Sequence, residues 1–111
     1  MNDELLSFLN DTQFGDRLAE LRNQHNISAR ELSLSIGQNS HYINHIENYC
    51  VYPSMKMFFY ICDYLHISPK QFFDLDLKNP AKLNDLIKHA SDLPAEIIDL
   101  LILISMCLNK K

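Results

Sequence analysis

Residues 28–47 read SARELSLSIGQNSHYINHIE, and this stretch decides the fold. Ser28 followed three residues later by Glu31 is typical of a helix start, where each side chain caps the other residue's backbone N–H. Gly37 predicts the end of that helix, because a residue without a Cβ enters the left-handed conformation at little cost. Asn39 is a favourable N-cap for a second helix. The stretch therefore predicts two short helices joined by a tight turn.

Residue spacing within the stretch predicts how these two helices meet. Counted from Ala29 as the first position, Ser33 is the fifth and Gly37 the ninth. Two helices joined by so short a turn cross steeply, so the fifth residue must be small where they touch. The apolar positions between the helices are Leu32, Ile36, Ile43 and Ile46. The opposite side of the second helix is polar and carries Ser40, His41, Asn44 and His45.

The composition of the whole chain predicts an all-α protein. The chain has 111 residues, of which 47% are hydrophobic and only two are glycine, so it can form a core but offers few of the turns that strands need. Helices are expected near 3–10, 12–24, 28–36, 39–48, 54–65, 68–73, 81–90 and 94–109. The predicted organisation is an N-terminal helical extension over 1–12, a helical domain over 13–75 and C-terminal helices within 76–111.

The last predicted helix is apolar on nearly every side. Between Ile97 and Leu108 the apolar run is interrupted by few polar residues, which is typical of a helix surrounded by others. A chain this short can hardly surround it alone, so we expect a two-fold homodimer formed through residues 94–109. Packing of this helix against its own domain is the alternative. The run is shorter than the roughly 20 residues that cross a membrane.

Residues 14–73 resemble the Cro and phage-repressor-like (Xre-type) family of helix-turn-helix transcription regulators. The motifs LR, IS-x-x-EL, G, YI-x-x-IE, PS and ISPKQFF occur in order. The resemblance implies a five-helix DNA-binding domain whose third helix lies in the major groove of double-stranded DNA. It implies contacts with DNA by Ala29, Arg30, Asn39, Ser40, His41, Asn44 and His45. It also implies that Arg22 and Glu47 form an ion pair inside the fold.

The charge of the chain is the main argument against DNA binding. The net charge is −4, and no Lys or Arg lies between Glu31 and Met55. Backbone N–H groups, Ser and Asn can still hold phosphates, and Asn, Ser and His can read base edges. The expected function is therefore a repressor that binds a palindromic operator as a homodimer. The alternative is a protein-interaction module of the same fold, such as an antitoxin-like or anti-repressor partner.

Other chemistry finds little support in the sequence. His41 and His45 are four residues apart with Cys50 nearby, but a metal site needs three or four well-placed ligands, so no metal is expected. No catalytic motif is present, so neither an enzyme nor a cofactor is expected. Three cysteines without metal spacing, and no signal peptide, predict a cytoplasmic protein. Arg17 is expected either on a solvated helix face or near a phosphate.

Overall fold

The computed structural model describes residues 13–48 and 51–110, and every regular element within them is a helix. The helices are α1 Gln13–Asn23, α2 Ala29–Ser35, α3 Tyr42–Asn48, α4 Met55–Tyr64, α5 Pro69–Phe73, α6 Pro80–Ala90 and α7 Ala95–Asn109. The predicted all-α class is confirmed. The predicted N-terminal helix within 1–12 lies outside the described residues.

The chain forms two compact units. The first ends at Ala81 and the second begins at Lys82, whereas the boundary expected from the sequence followed residue 75. The first unit contains α1 to α5 and the start of α6, and the second contains the rest of α6 and α7. Among the described helices, none combines the length and the apolar character needed to cross a membrane.

Serine caps begin three helices of the first unit. The Oγ atom of Ser28 accepts a hydrogen bond from the backbone N–H of Glu31 at 2.9 Å, and Ser54 caps α4 in the same way. At α5 the capping box is complete, because Ser68 and Gln71 each cap the other's backbone N–H. These contacts satisfy backbone donors that have no partner within the helix.

Left-handed residues follow three helices of the first unit. Gly37 has a φ of 78°, as the sequence predicted for the end of α2. Asn26 and His66 adopt φ values of 56° and 58° after α1 and α4. A residue in this conformation turns the chain out of the helix direction and allows the last carbonyls to be satisfied.

The core of the first unit gathers apolar side chains from all five of its helices. Its fully buried members are Leu18, Leu21, Leu32, Ile43, Ile46, Ile61, Cys62, Leu65 and Phe72. Aromatic rings close one end, where the ring centroids of Phe14 and Phe72 lie 4.9 Å apart. Met55 is apolar but lies outside this core and is 70% exposed. It is the first residue of α4, and helical side chains lean towards the N-terminus, so its side chain extends past the helix end.

Both expectations for Arg17 are wrong. Its side chain neither faces solvent nor remains available to a phosphate. The residue is only 3% exposed. Its guanidinium donates to the backbone carbonyls of Gln71, Phe72, Asp74 and Leu77 at 2.7–3.0 Å, and it also pairs with Glu20. One side chain of α1 therefore holds both the end of α5 and the connection that follows it.

The second unit has little core of its own. No residue of α7 is buried, and apart from the half-buried Ile98 its large apolar side chains are exposed by 38% at Leu101 up to 79% at Leu108. The part of α6 in this unit also exposes Leu86 by 56% and Ile87 by 58%.

We expect Arg17→Ala to lower the free energy of unfolding by about 3 kcal/mol, because buried carbonyls lose a charged donor and gain no replacement. Urea denaturation followed by circular dichroism measures the change. Arg30→Ala is the matched control, since Arg30 is exposed on α2, and it should change stability by less than about 0.5 kcal/mol. Equal effects of the two substitutions would contradict the buried role of Arg17.

Candidate nucleic-acid interface

One hydroxyl group joins α2 to α3 through hydrogen bonds. Ser33 is fully buried, and its Oγ atom donates to the carbonyl of Ala29 at 2.7 Å and accepts from the N–H of Ile43 at 2.9 Å. The same atom thus joins the backbone of α2 to that of α3. After α2, the N–H of Gln38 donates to the carbonyl of Ser33 at 2.9 Å and closes the turn. The small residue predicted at this position therefore has both the size and the polarity that the contact needs.

A glycine allows α1 to approach α3. A Cβ atom at Gly15 would lie 2.6 Å from the carbonyl oxygen of Glu47 and 2.9 Å from two further backbone atoms of that residue. Gly15 was not predicted from the sequence to lie at a helix contact. A signal was present, because Gly15 is one of only two glycines and lies inside a predicted helix, where glycine costs about 1 kcal/mol relative to alanine.

The ion pair implied by the resemblance is present between α1 and α3. The Nε atom of Arg22 lies 2.7 Å from Oε2 of Glu47, and Nη2 lies 2.9 Å from Oε1. The guanidinium also donates to the carbonyl of Ile27 at 2.7 Å. The hydrogen bond to Glu47 raises the pKa of Arg22, although burial of the pair opposes the rise. The Glu47 side chain is only 7% exposed, so the pair secures α3 and is not directed to a ligand.

The outer side of α3 carries three exposed polar side chains. Ile43 and Ile46 are buried, while His41, Asn44 and His45 face solvent at spacings of three and four residues. Those spacings place the three side chains on one side of the helix and its preceding turn. Three of the side chains predicted from the sequence to contact bases therefore lie close together and are exposed. The fourth, Ser40, is only partly exposed.

The residues predicted to contact phosphates differ in how available they are to a ligand. Asn39 is exposed, but its Oδ1 atom already accepts a hydrogen bond from the N–H of His41 at 3.0 Å, so the side chain helps to form the turn before α3. Arg30 is exposed in the first turn of α2. Ala29 packs partly against the core and can offer a ligand little beyond its backbone N–H.

Asn48 supports Asn44, although it was not among the site residues predicted from the sequence. Its Nδ2 atom donates to Oδ1 of Asn44 at 2.7 Å and to the carbonyl of Asn44 at 2.9 Å. This contact orients the Asn44 amide with Oδ1 towards the C-terminal end of α3. The spacing of four residues between two asparagines on one helix was the available signal.

Gln38 lies in the turn between α2 and α3. Its Nε2 atom lies 3.0 Å from the sulfur of Met57, so the amide packs on α4 and its polar end meets a weak acceptor. The polar side chain is thus accommodated by packing between the turn and α4.

The described part of the chain contains no cluster of metal ligands, and one of its two thiols is buried in the core. Within 13–48 and 51–110, no three His, Cys, Asp or Glu side chains gather as possible metal ligands. Cys62 is buried in the core, and burial raises the pKa of its thiol to about 12, so it remains protonated near neutral pH. Cys50 lies outside the described residues.

No protein-family model matches this chain, and neither the curated proteins nor the solved structures compared with it gave a match. The geometry of α2 and α3 is therefore the main ground on which a function can be argued.

We expect Gly15→Ala to lower the free energy of unfolding by about 1–3 kcal/mol, because the added Cβ meets the backbone of α3 and forces the helices apart. Ordinary helical positions give the opposite sign, since alanine is favoured there by about 1 kcal/mol. Chemical denaturation measures the effect, and Ala19→Gly on the same helix is the control for helix propensity. A stabilised Gly15→Ala variant would show that α1 and α3 are not in close contact.

Proposed function

We propose that this chain is a sequence-specific DNA-binding regulator of transcription, acting as a repressor in the cytoplasm. In this proposal α1 to α5 form a helix-turn-helix domain of the Cro and phage-repressor-like type, and α3 lies in the major groove. The observation that carries the proposal is the exposed set of His41, Asn44 and His45, which lies on α3 and the turn before it, while the opposite side of α3 is fixed to the core. A polar face held rigidly by α1 and α2 supports a recognition role, because base reading needs side chains in defined positions.

The exposed side chains have the chemistry that base edges need. The amide of Asn44 can donate and accept at adenine, and the imidazoles of His41 and His45 can donate to the acceptors of guanine. The contact with Asn48 restricts the Asn44 amide before DNA arrives, which reduces the entropy lost on binding. Ser40 adds a hydroxyl that can pair with more than one base.

Phosphate contacts are few in this proposal. Arg30 is the fixed cation at the start of α2, and the backbone N–H of Ala29 and the side chain of Asn39 add neutral contacts. Because few cations displace counterions from DNA, the affinity should fall only gently as salt rises. Sequence-independent binding should be weak for the same reason.

Two copies of the chain would bind together in this proposal. A homodimer formed through residues 94–109 presents two recognition helices, and its two-fold symmetry matches a palindromic operator. The exposed apolar surface of α7 supports this arrangement.

A protein-interaction module remains the second candidate, because the first unit exposes apolar side chains. Leu34 is 52% exposed, Met55 70% and Phe59 50%. Exposed apolar side chains mark surfaces that bind other proteins where they form a contiguous patch. An antitoxin-like or anti-repressor partner would use them in place of DNA contacts.

Selection from random duplexes should enrich an inverted-repeat sequence. On that sequence, Asn44→Ala and His45→Ala should each weaken binding about tenfold or more, because each removes a base contact worth roughly 1–3 kcal/mol. Gel shift or fluorescence anisotropy at fixed salt measures the loss. His89→Ala on α6 is the matched control and should bind as the wild-type chain does. A selection without enrichment, together with tight co-purification of another protein, would favour the second candidate.

Binding to the selected site should tighten as the pH falls from 7.5 to 6, because acid adds positive charge to imidazole side chains and two of them face DNA in this proposal. Titration of the chain onto labelled duplex at each pH measures the change. The variant carrying both His41→Asn and His45→Asn should lose most of the dependence, whereas His89→Asn should retain it. Equal affinities across this range would contradict direct contact by the two imidazoles.

A further inference from the structure

The apolar residues of α7 surround the helix. Residues 100–104 read LLILI, and each of these five side chains is at least 38% exposed. Successive residues in an α-helix are turned by about 100°, so five consecutive apolar residues cover the whole circumference. A single partner helix would cover only one stripe of this surface. At least two neighbouring helices are therefore needed to remove α7 from water.

The part of α6 in the second unit offers a further apolar stripe. Leu83, Leu86 and Ile87 are exposed by 37%, 56% and 58%, and their spacing of three and four residues places them on one side of the helix. This stripe is of the kind that packs against other helices in a bundle.

We infer that the second units of two copies assemble into a four-helix bundle, in which each α7 contacts both α6 and α7 of the other copy. This deepens the homodimer of the proposed function by adding α6 to the interface. The assembly itself does not depend on whether the chain binds DNA.

The exposed apolar area is sufficient for a stable pair. Twelve large apolar side chains of the second unit are exposed by more than a third. At about 50 Å² each, they offer roughly 600 Å² per chain, and two copies would bury about 1,200 Å² from these side chains alone. That value reaches the lower end of the range for specific protein interfaces, about 1,200–2,000 Å².

Charge favours a second copy over a membrane surface. Residues 82–111 contain four lysines and four acidic residues, so two such units do not repel each other through net charge. Helices that lie on membranes usually carry Lys or Arg along a polar face, and residues 94–109 contain neither. The helix of 15 residues is also shorter than the roughly 20 that a membrane span needs.

Sedimentation of the wild-type chain without DNA tests the inference. We expect a species of twice the chain mass of 12.9 kDa at micromolar concentrations. Leu100→Glu should abolish the dimer, because Leu100 is 51% exposed in the single chain and would place a carboxylate in the bundle. Leu34→Glu is the matched control, since Leu34 is 52% exposed on the first unit, and this variant should remain dimeric.

A second substitution distinguishes the bundle from a simple pair of α7 helices. Ile87→Glu on α6 should also abolish or severely weaken the dimer if α6 belongs to the interface. A dimer that survives Ile87→Glu but not Leu100→Glu would overturn the four-helix form. A monomeric wild-type chain, including one that binds only a different protein, would overturn the inference, as would a dimer that survives Leu100→Glu.

Alkylation of the Cys107 thiol tests the inference without any substitution in the proposed interface. Cys107 is exposed in the single chain, while Cys62 is buried, so alkylation of a Cys50→Ser chain reports mainly on α7. The rate of Cys107 alkylation should fall as protein concentration rises and the dimer forms. An unchanged rate would count against burial of α7. Because neither measurement includes DNA, failure here is distinct from failure of DNA binding.

Discussion

The structure of the first unit depends on the contact that Ser33 makes between α2 and α3. Each helix has only seven residues, and helices of that length are not stable alone in water. The buried hydroxyl joins the two backbones, and the buried side chains of Ile43 and Ile46 hold α3 to the core. Replacing the hydroxyl by a larger group would separate the helices, and removing it would leave a buried N–H without its acceptor. The outer face of α3 is therefore directed to solvent by constraints on its inner face.

The two arginines of α1 add no available positive charge to the surroundings of that outer face. Arg17 holds four backbone carbonyls, and Arg22 pairs with Glu47, so both cations are used within the fold. Neither is available to a polyanion. If the first unit binds DNA, then hydrogen bonds to bases must supply an unusually large share of its affinity, and electrostatic attraction a small one. Such a protein would discriminate between sequences more by contact geometry than by charge.

Local features were predictable from the sequence, and contacts between distant residues were not. Helix caps, the turn at Gly37 and the small residue at Ser33 follow from spacing over a few positions. Arg17 shows the limit: it lies on the same helical stripe as Phe14 and Leu18, yet its residue type argued for solvent. The four carbonyls that compensate its burial are 54 to 60 residues away, and no local pattern indicates them. Gly15 is similar, because the backbone that requires it belongs to Glu47.

The two units differ in how much of their apolar surface they bury. The first unit buries a core of its own, whereas α7 buries no residue in the single chain. If α3 is a recognition helix, the small number of cations around it should make binding to a single half-site weak. Joining two such faces makes the second contact intramolecular, and the affinity of the pair can exceed that of either by factors of about 10²–10⁴. Under the proposed function, the exposed surface of the second unit would therefore compensate for the charge that the first unit lacks, and a monomeric variant should lose operator binding even with its recognition face intact.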